Sequence, residues 1–247
     1  MRVIAIIAAV FLVFAADASA SNTQTISVAG APVKHAKVKR SAASIAVLTT
    51  TGAVVAGEQI APATRAQIFF DDDFVFTAAG LPVCRANLNG ISAAMARAAC
   101  PTSIVGTGAG RVALAGFTDT ILDAEITAFN GPPQSGHPVI VLHSWTNAVA
   151  LGTTLVGVLK PYGKSGFGSV LDVTIPALPL NSAIVEFSTR VQRSWKRVIK
   201  RKGKRVRITE HYVHARCASR SWKFRGTFTY SGAPANTVSS SQSCTIR

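Results

Sequence analysis

Hydrophobic and polar positions alternate one for one over much of this chain, the period expected of β-strands with one buried face. The clearest case is Trp222, Phe224, Gly226, Phe228 and Tyr230, interleaved with Lys223, Arg225, Thr227 and Thr229. One face is aromatic and the other polar, which predicts an antiparallel strand with its aromatics in the core. Val185, Phe187, Thr189 and Val191 alternate with Glu186, Ser188, Arg190 and Gln192 in the same way. Upstream, short runs rich in Val, Ile, Thr and Phe at 44–50, 65–70, 74–77, 103–114, 122–129, 138–145, 154–160 and 169–175 are separated by Gly, Pro, Asn and Asp. Asn130-Gly131-Pro132-Pro133 predicts a break after Phe129, and Pro176, Pro179 and Asn181 another after Ile175. One segment has a helical composition. Residues 91–99 are alanine-rich, follow Asn89 as a cap and stop at Cys100-Pro101. Many antiparallel strands with one short helix predict an all-β fold, a two-sheet antiparallel sandwich.

The N-terminus departs from this pattern. Arg2, the thirteen-residue apolar run from Val3 to Ala15, and Ala18-Ser19-Ala20 before Ser21 form a secretory signal peptide with cleavage near Ala20. The run is shorter than the roughly twenty residues that span a bilayer, and no later apolar stretch reaches that length, so a chain that does not span the membrane is expected. Export predicts a secreted or cell-surface location and excludes nucleotide cofactors; no cofactor is expected. Residues 21–42 are polar, lack periodicity and carry Lys34, Lys37, Lys39 and Arg40, which reads as a flexible basic arm. The remainder, 43–247, is within the size of one β-domain.

In an oxidising compartment the even count of cysteines, Cys84, Cys100, Cys217 and Cys244, predicts two disulfides. Four cysteines allow three connectivities, and their grouping into two clusters favours Cys84 with Cys100 and Cys217 with Cys244. Neither cluster has the close C-x-x-C spacing of structural zinc ligands. Gly80-Leu81-Pro82-Val83-Cys84, Ala98-Ala99-Cys100 with Val105-Gly106-Thr107-Gly108, and Cys217 followed by Trp222-Lys223-Phe224 and Gly226-Thr227-Phe228-Thr229-Tyr230 resemble segments of secreted, β-rich actinobacterial proteins with two cysteine pairs. The resemblance runs from about Arg65 to the C-terminus. It implies the β-sandwich and the paired cysteines, and no catalytic or binding residue.

Several constellations fail as chemistry on spacing alone. Gly106-Thr107-Gly108-Ala109-Gly110 lacks the third glycine of a dinucleotide loop, because Arg111 stands there, and reads as a strand or bulge. Gly163-Lys164-Ser165 is not a phosphate loop, since the glycine needed five positions earlier is Val158, nor is Ser165 a nucleophile elbow, since Phe167 replaces the second glycine. Asp71, Asp72 and Asp73 form an acidic cluster without calcium-loop spacing, which reads as a solvated turn; no metal site is expected. His211 and His214, three apart in a strand, are expected on opposite faces. Nothing marks a triad at His143 and Ser144. Asp123 and Glu125, two apart on a strand, share a face and supply the one carboxylate pair for an alternative reading, a secreted polysaccharide hydrolase.

Charge gives the positive expectation. The formal net charge is +15, and between Arg190 and Arg225 fourteen Lys or Arg face the single acid Glu210. Lys200-Arg201-Lys202-Gly203-Lys204-Arg205, set between Lys196-Arg197-Val198-Ile199 and Val206-Arg207-Ile208, predicts a β-hairpin with a cationic tip, within a basic stretch around 190–216. Such a density repels itself, and an anionic polymer relieves it while releasing counterions. The same cations would also keep a projecting ribbon soluble and block edge-to-edge pairing. The sequence therefore points to a non-enzymatic surface or extracellular binding or structural protein. Its polyanion would be held by Lys196, Arg197, Lys200, Arg201, Lys202, Lys204, Arg205 and Arg207. Wall polymer, acidic polysaccharide, nucleic acid and anionic lipid are all candidates, and Trp195 and Tyr212 could stack on a base or sugar.

Overall fold

The computed structural model describes residues 21–34, 36–114, 120–179 and 182–245; the expected signal peptide lies outside them. Among the described residues the fold is all-β with one short α-helix. Its strands are β1 (Asn22–Pro32), β2 (Ser41–Ala53), β3 (Ala63–Asp71), β4 (Phe74–Phe76), β5 (Ile104–Ala113), β6 (Ile121–Gln134), β7 (His137–Thr146), β8 (Leu151–Lys164), β9 (Phe167–Thr174), β10 (Ala183–Val191), β11 (Ser194–Arg201), β12 (Lys204–His211), β13 (Val213–Ala215), β14 (Ser221–Tyr230) and β15 (Asn236–Ser243), with α1 at Ala93–Ala99 between β4 and β5. Thirteen of them form one sheet in the order β15-β14-β3-β9-β8-β7-β6-β5-β10-β2, to which β1 adds on one edge of β2 and short β13 and β4 on the other. β11 and β12 form a separate two-stranded sheet.

The large sheet is one continuous ladder that curls on itself until its ends meet. Eleven strands from β1 to β15 are linked by ten antiparallel pairings, so the first and last run in the same direction where they adjoin. Side chains bridge that seam. Gly30 N donates to Gln242 Oε1 at 2.6 Å, Gln242 Nε2 donates back to Gly30 O at 3.1 Å, and Asn236 Nδ2 donates to Asn22 O at 2.6 Å. Register shifts in β3, β5, β6, β8, β10 and β14 supply the bends that curvature needs. At Gly106 and Gly108 a Cβ would run into the carbonyls of Arg190 and Ser188 on β10, so glycine there permits a close approach of two backbones.

The aromatic stripe behaves as its alternation predicts. Trp222, Phe224, Phe228 and Tyr230 are buried, Phe74 packs edge-on to Trp222 at 5.0 Å between centroids, and the Trp222 indole donates to Arg216 O at 2.8 Å. Each such side chain contributes about 2–3 kcal/mol by burial. The hairpins β6–β7, β8–β9 and β11–β12 turn on Ser135-Gly136, Ser165-Gly166 and Lys202-Gly203, where both residues have positive φ. That is the tight turn whose twist matches the strands.

Three expectations are corrected. The segment 21–42 is not an arm: Asn22–Pro32 is a full strand whose residues are alternately buried and exposed, paired with β2 along its length. Its inward positions include the polar Asn22 and Gln24, and these are satisfied. Asn22 exchanges two hydrogen bonds with the Ala61 backbone, and Gln24 Oε1 accepts from Tyr230 and Thr51 hydroxyls. Asn130 to Pro133 does not end a strand, since β6 runs through it with a register shift to Gln134. The helix starts two residues late, on Ser92, whose hydroxyl accepts from Met95 N. Asn89 instead accepts from the amide and hydroxyl of Thr154. Both disulfides have the expected connectivity, Cys84–Cys100 and Cys217–Cys244, and are compatible with an extracellular location.

Candidate functional site

Strand β11 leaves the large sheet two residues after β10, and β12 returns to it at Tyr212, whose amide donates to Arg193 O. The cross-strand register fixes which cations meet: Lys200 lies opposite Arg205, and Arg201 opposite Lys204. Both outermost pairs of the ribbon thus set like charges face to face, which destabilises a ladder. Alternation puts Lys196, Lys200, Arg205 and Arg207 on one face with Val198, while Arg197, Ile199, Arg201, Lys204, Val206 and Ile208 share the other with Trp195 and Glu210. Lys196, Lys200, Arg201, Lys202, Lys204, Arg205 and Arg207 are exposed. Arg197 is the exception. Half-buried, it pairs with Glu210 at 2.7 Å and packs over Gly80. The structure therefore gathers all eight expected residues on one ribbon and gives Arg197 a structural partner.

The base of the ribbon is anchored by groups that the sequence left uncommitted. Trp195, half-buried, donates Nε1 to Ala79 O at 3.2 Å, and Tyr212 is fully buried, which removes Tyr212 from stacking on a ligand. Burial pushes the Tyr212 hydroxyl well above its ordinary pKa. The acidic cluster is not a solvated turn. Asp73 is buried with 1% of its side chain exposed and pairs with Arg216 at 2.7 Å, while its second oxygen accepts from Ala218 N at 2.7 Å. Asp71 accepts from the amides of Asp73 and Lys223, and burial raises its pKa. Although the three carboxylates lie within 4.8 Å of one another, two of them are spent on an arginine and backbone amides. The turn before β4 is thereby tied to the chain that follows the ribbon. Arg40 ties in the loop between β1 and β2, donating to the carbonyls of Asp72 and Asp73, so exposed Lys34, Lys37 and Lys39 sit at the same end of the fold as the ribbon.

His211 and His214 are not on opposite faces. The strand breaks between them at Tyr212, and their rings stand edge to face at 5.8 Å. Burial chiefly, and His211 next, hold His214 below its ordinary pKa. His143 is buried under the loop carrying α1, with Nε2 at 3.0 Å from Ile91 O and its pKa lowered by burial. Ser144 points to the other side of the strand, so the two cannot act together. Asp123 and Glu125 share a face as expected, but that face is open. Asp123 is 93% exposed beside Arg111, and Glu125 pairs with Arg97 from α1. Both carboxylates thus stand open to solvent beside an arginine. Among the described residues no helix is long and apolar enough to cross a membrane. Comparison with known proteins gives no match: no family model, curated protein or solved structure aligns with this chain.

Proposed function

We propose that this is a secreted, non-enzymatic binding protein that holds anionic polymers through the β11–β12 ribbon, assisted by Lys34, Lys37 and Lys39 in the neighbouring loop. The observation that carries the reading is the facing of Lys200 with Arg205 and Arg201 with Lys204 at the end of a ribbon that stands apart from the large sheet. A fold that places cations opposite one another accepts self-repulsion, and a polyanion laid along the ribbon removes it. The interaction gains its free energy from displaced counterions. Export by the segment 1–20 belongs to the same reading, and the two disulfides support it.

The test is retention of the mature chain on immobilised wall polymer, heparin and DNA. Replacing Lys200, Arg201, Lys202, Lys204 and Arg205 by Gln should abolish retention at moderate salt and leave the melting temperature unchanged or raised. Equal retention of the variant would remove the ribbon from the function.

A further inference from the structure

The large sheet encloses an apolar cavity of about 90 Å³. Apart from Thr49, Thr51 and Thr189, every described residue lining it is Ala, Val, Ile, Leu or Phe. The lining includes every second residue of β2 from Ile45 to Thr51, a distance of about 20 Å at the rise of an extended strand. A space of this volume drawn out over that length is narrow. At one end it is closed by buried Ile45, Val191 and Phe70, with half-buried Phe76 packed on Phe70 at 4.9 Å between ring centroids, and at the other its walls are the half-buried Thr51, Ala63, Ile175, Ile184 and Phe187. That second end is where β2 finishes and β3 and β10 begin, the end of the fold remote from the basic ribbon.

Two of the three hydroxyls along the slot already have partners. Thr51 donates to Gln24 Oε1 at 2.8 Å, Gln24 also accepts from Tyr230, and Thr189 donates to Thr107 O. Apart from the Thr49 hydroxyl the wall thus offers a ligand dispersion contacts only, and a space with so few polar partners does not retain water. A polar or charged molecule would lose its hydration inside without compensation. A compact ring system is wider than the slot. What fits is a flexible, unbranched hydrocarbon.

We infer that the interior of the sheet binds the end of one linear alkyl chain, entering between Ile184 and Ala63 and leaving its polar head in solvent. The head group makes no contact that selects it, so chain shape decides recognition. This site is independent of the polyanion reading, since the ribbon lies at the opposite end.

The experiment uses the intact mature chain at 0.3 M salt, with the fluorescent straight-chain polyene cis-parinaric acid as probe. Fluorescence should rise to saturation at one probe per chain. 1-Decanol and decyltrimethylammonium should displace it alike, and 1-adamantanol, with the same number of carbons in a compact cage, should not. Ile184→Trp at the mouth should weaken probe binding at least tenfold with unchanged circular dichroism. If that variant does not fold, Ala63→Trp on the opposite wall makes the same test. The five-Gln ribbon variant should bind the probe as wild type does. No saturable uptake, equal displacement by 1-adamantanol, undiminished binding in a folded mouth variant, or loss of binding in the ribbon variant would each overturn the inference.

Discussion

Replacing Asp73 by Ala removes the carboxylate that ties the turn before β4 to the chain at Arg216 and Ala218. The side chain is 1% exposed and its partner Arg216 is 28% exposed, so the variant strands a guanidinium that is only partly able to reach water. It also leaves Ala218 N without its 2.7 Å acceptor. Breaking a fully buried ion pair costs about 3–5 kcal/mol; the access of Arg216 to solvent reduces that to about 2, and the orphaned amide adds about 1. A loss of about 3 kcal/mol corresponds to a fall of roughly 6–12 °C in melting temperature for a domain of this size. Thermal and urea unfolding with both disulfides intact measures it. The double variant Asp73→Ala, Arg216→Met should recover about half, because it no longer buries an unpaired charge. Millimolar calcium should leave the wild-type melting temperature unmoved, since Arg216 and the amides already occupy the carboxylates. A single variant within about 0.5 kcal/mol of wild type would refute the assignment of this cluster as a structural tie.

Further consequences are as direct. Asp172 is held at about 2, chiefly by the hydrogen bonds of Arg65 and then by Lys160. Its folded pKa lies below the ordinary value, so its stabilisation is complete above about pH 4 and disappears as pH falls through about 2. Asp172→Asn should cost about 1–2 kcal/mol at pH 7, after allowing for the half-exposed cations, and almost nothing by about pH 1, as read from urea midpoints. Opening Cys217–Cys244 by double replacement with Ser should cost about 3.5 kcal/mol and opening Cys84–Cys100 about 3, from closed segments of 27 and 16 residues. Gln242→Ala removes two of the three side-chain bonds across the β1–β15 seam and should cost about 1–3 kcal/mol, with faster hydrogen exchange at the Gly30 amide; unchanged exchange there would mean that the seam is not held by this side chain.

The sequence disclosed those parts of the fold in which alternation and hydrophobicity coincide. Trp222 to Tyr230 is such a case, and its burial follows from one face being aromatic. β1 escaped because its inward residues include Asn22 and Gln24, whose partners Ala61, Thr51 and Tyr230 are far away in sequence; polarity then resembled disorder. The turn residues Asn130 to Pro133 read as a break because a one-dimensional pattern does not show the bulge that absorbs them. At the candidate site the hairpin was legible from glycine within a charged run, while its register, set by the Lys202-Gly203 turn, is seen only in the structure. The ties that hold it were hidden. Asp73 meets Arg216 across 143 positions, and no local pattern distinguishes a buried aspartate from an exposed one.

The central claim, that the ribbon's cations hold a polyanion, is tested most directly by the salt dependence of heparin affinity. The logarithm of the binding constant should fall linearly with the logarithm of salt concentration, and replacing Lys200, Arg201, Lys202, Lys204 and Arg205 by Gln should reduce that slope by about 3–4, near 0.7 per released counterion. The same slope and affinity in the variant as in wild type would contradict the account.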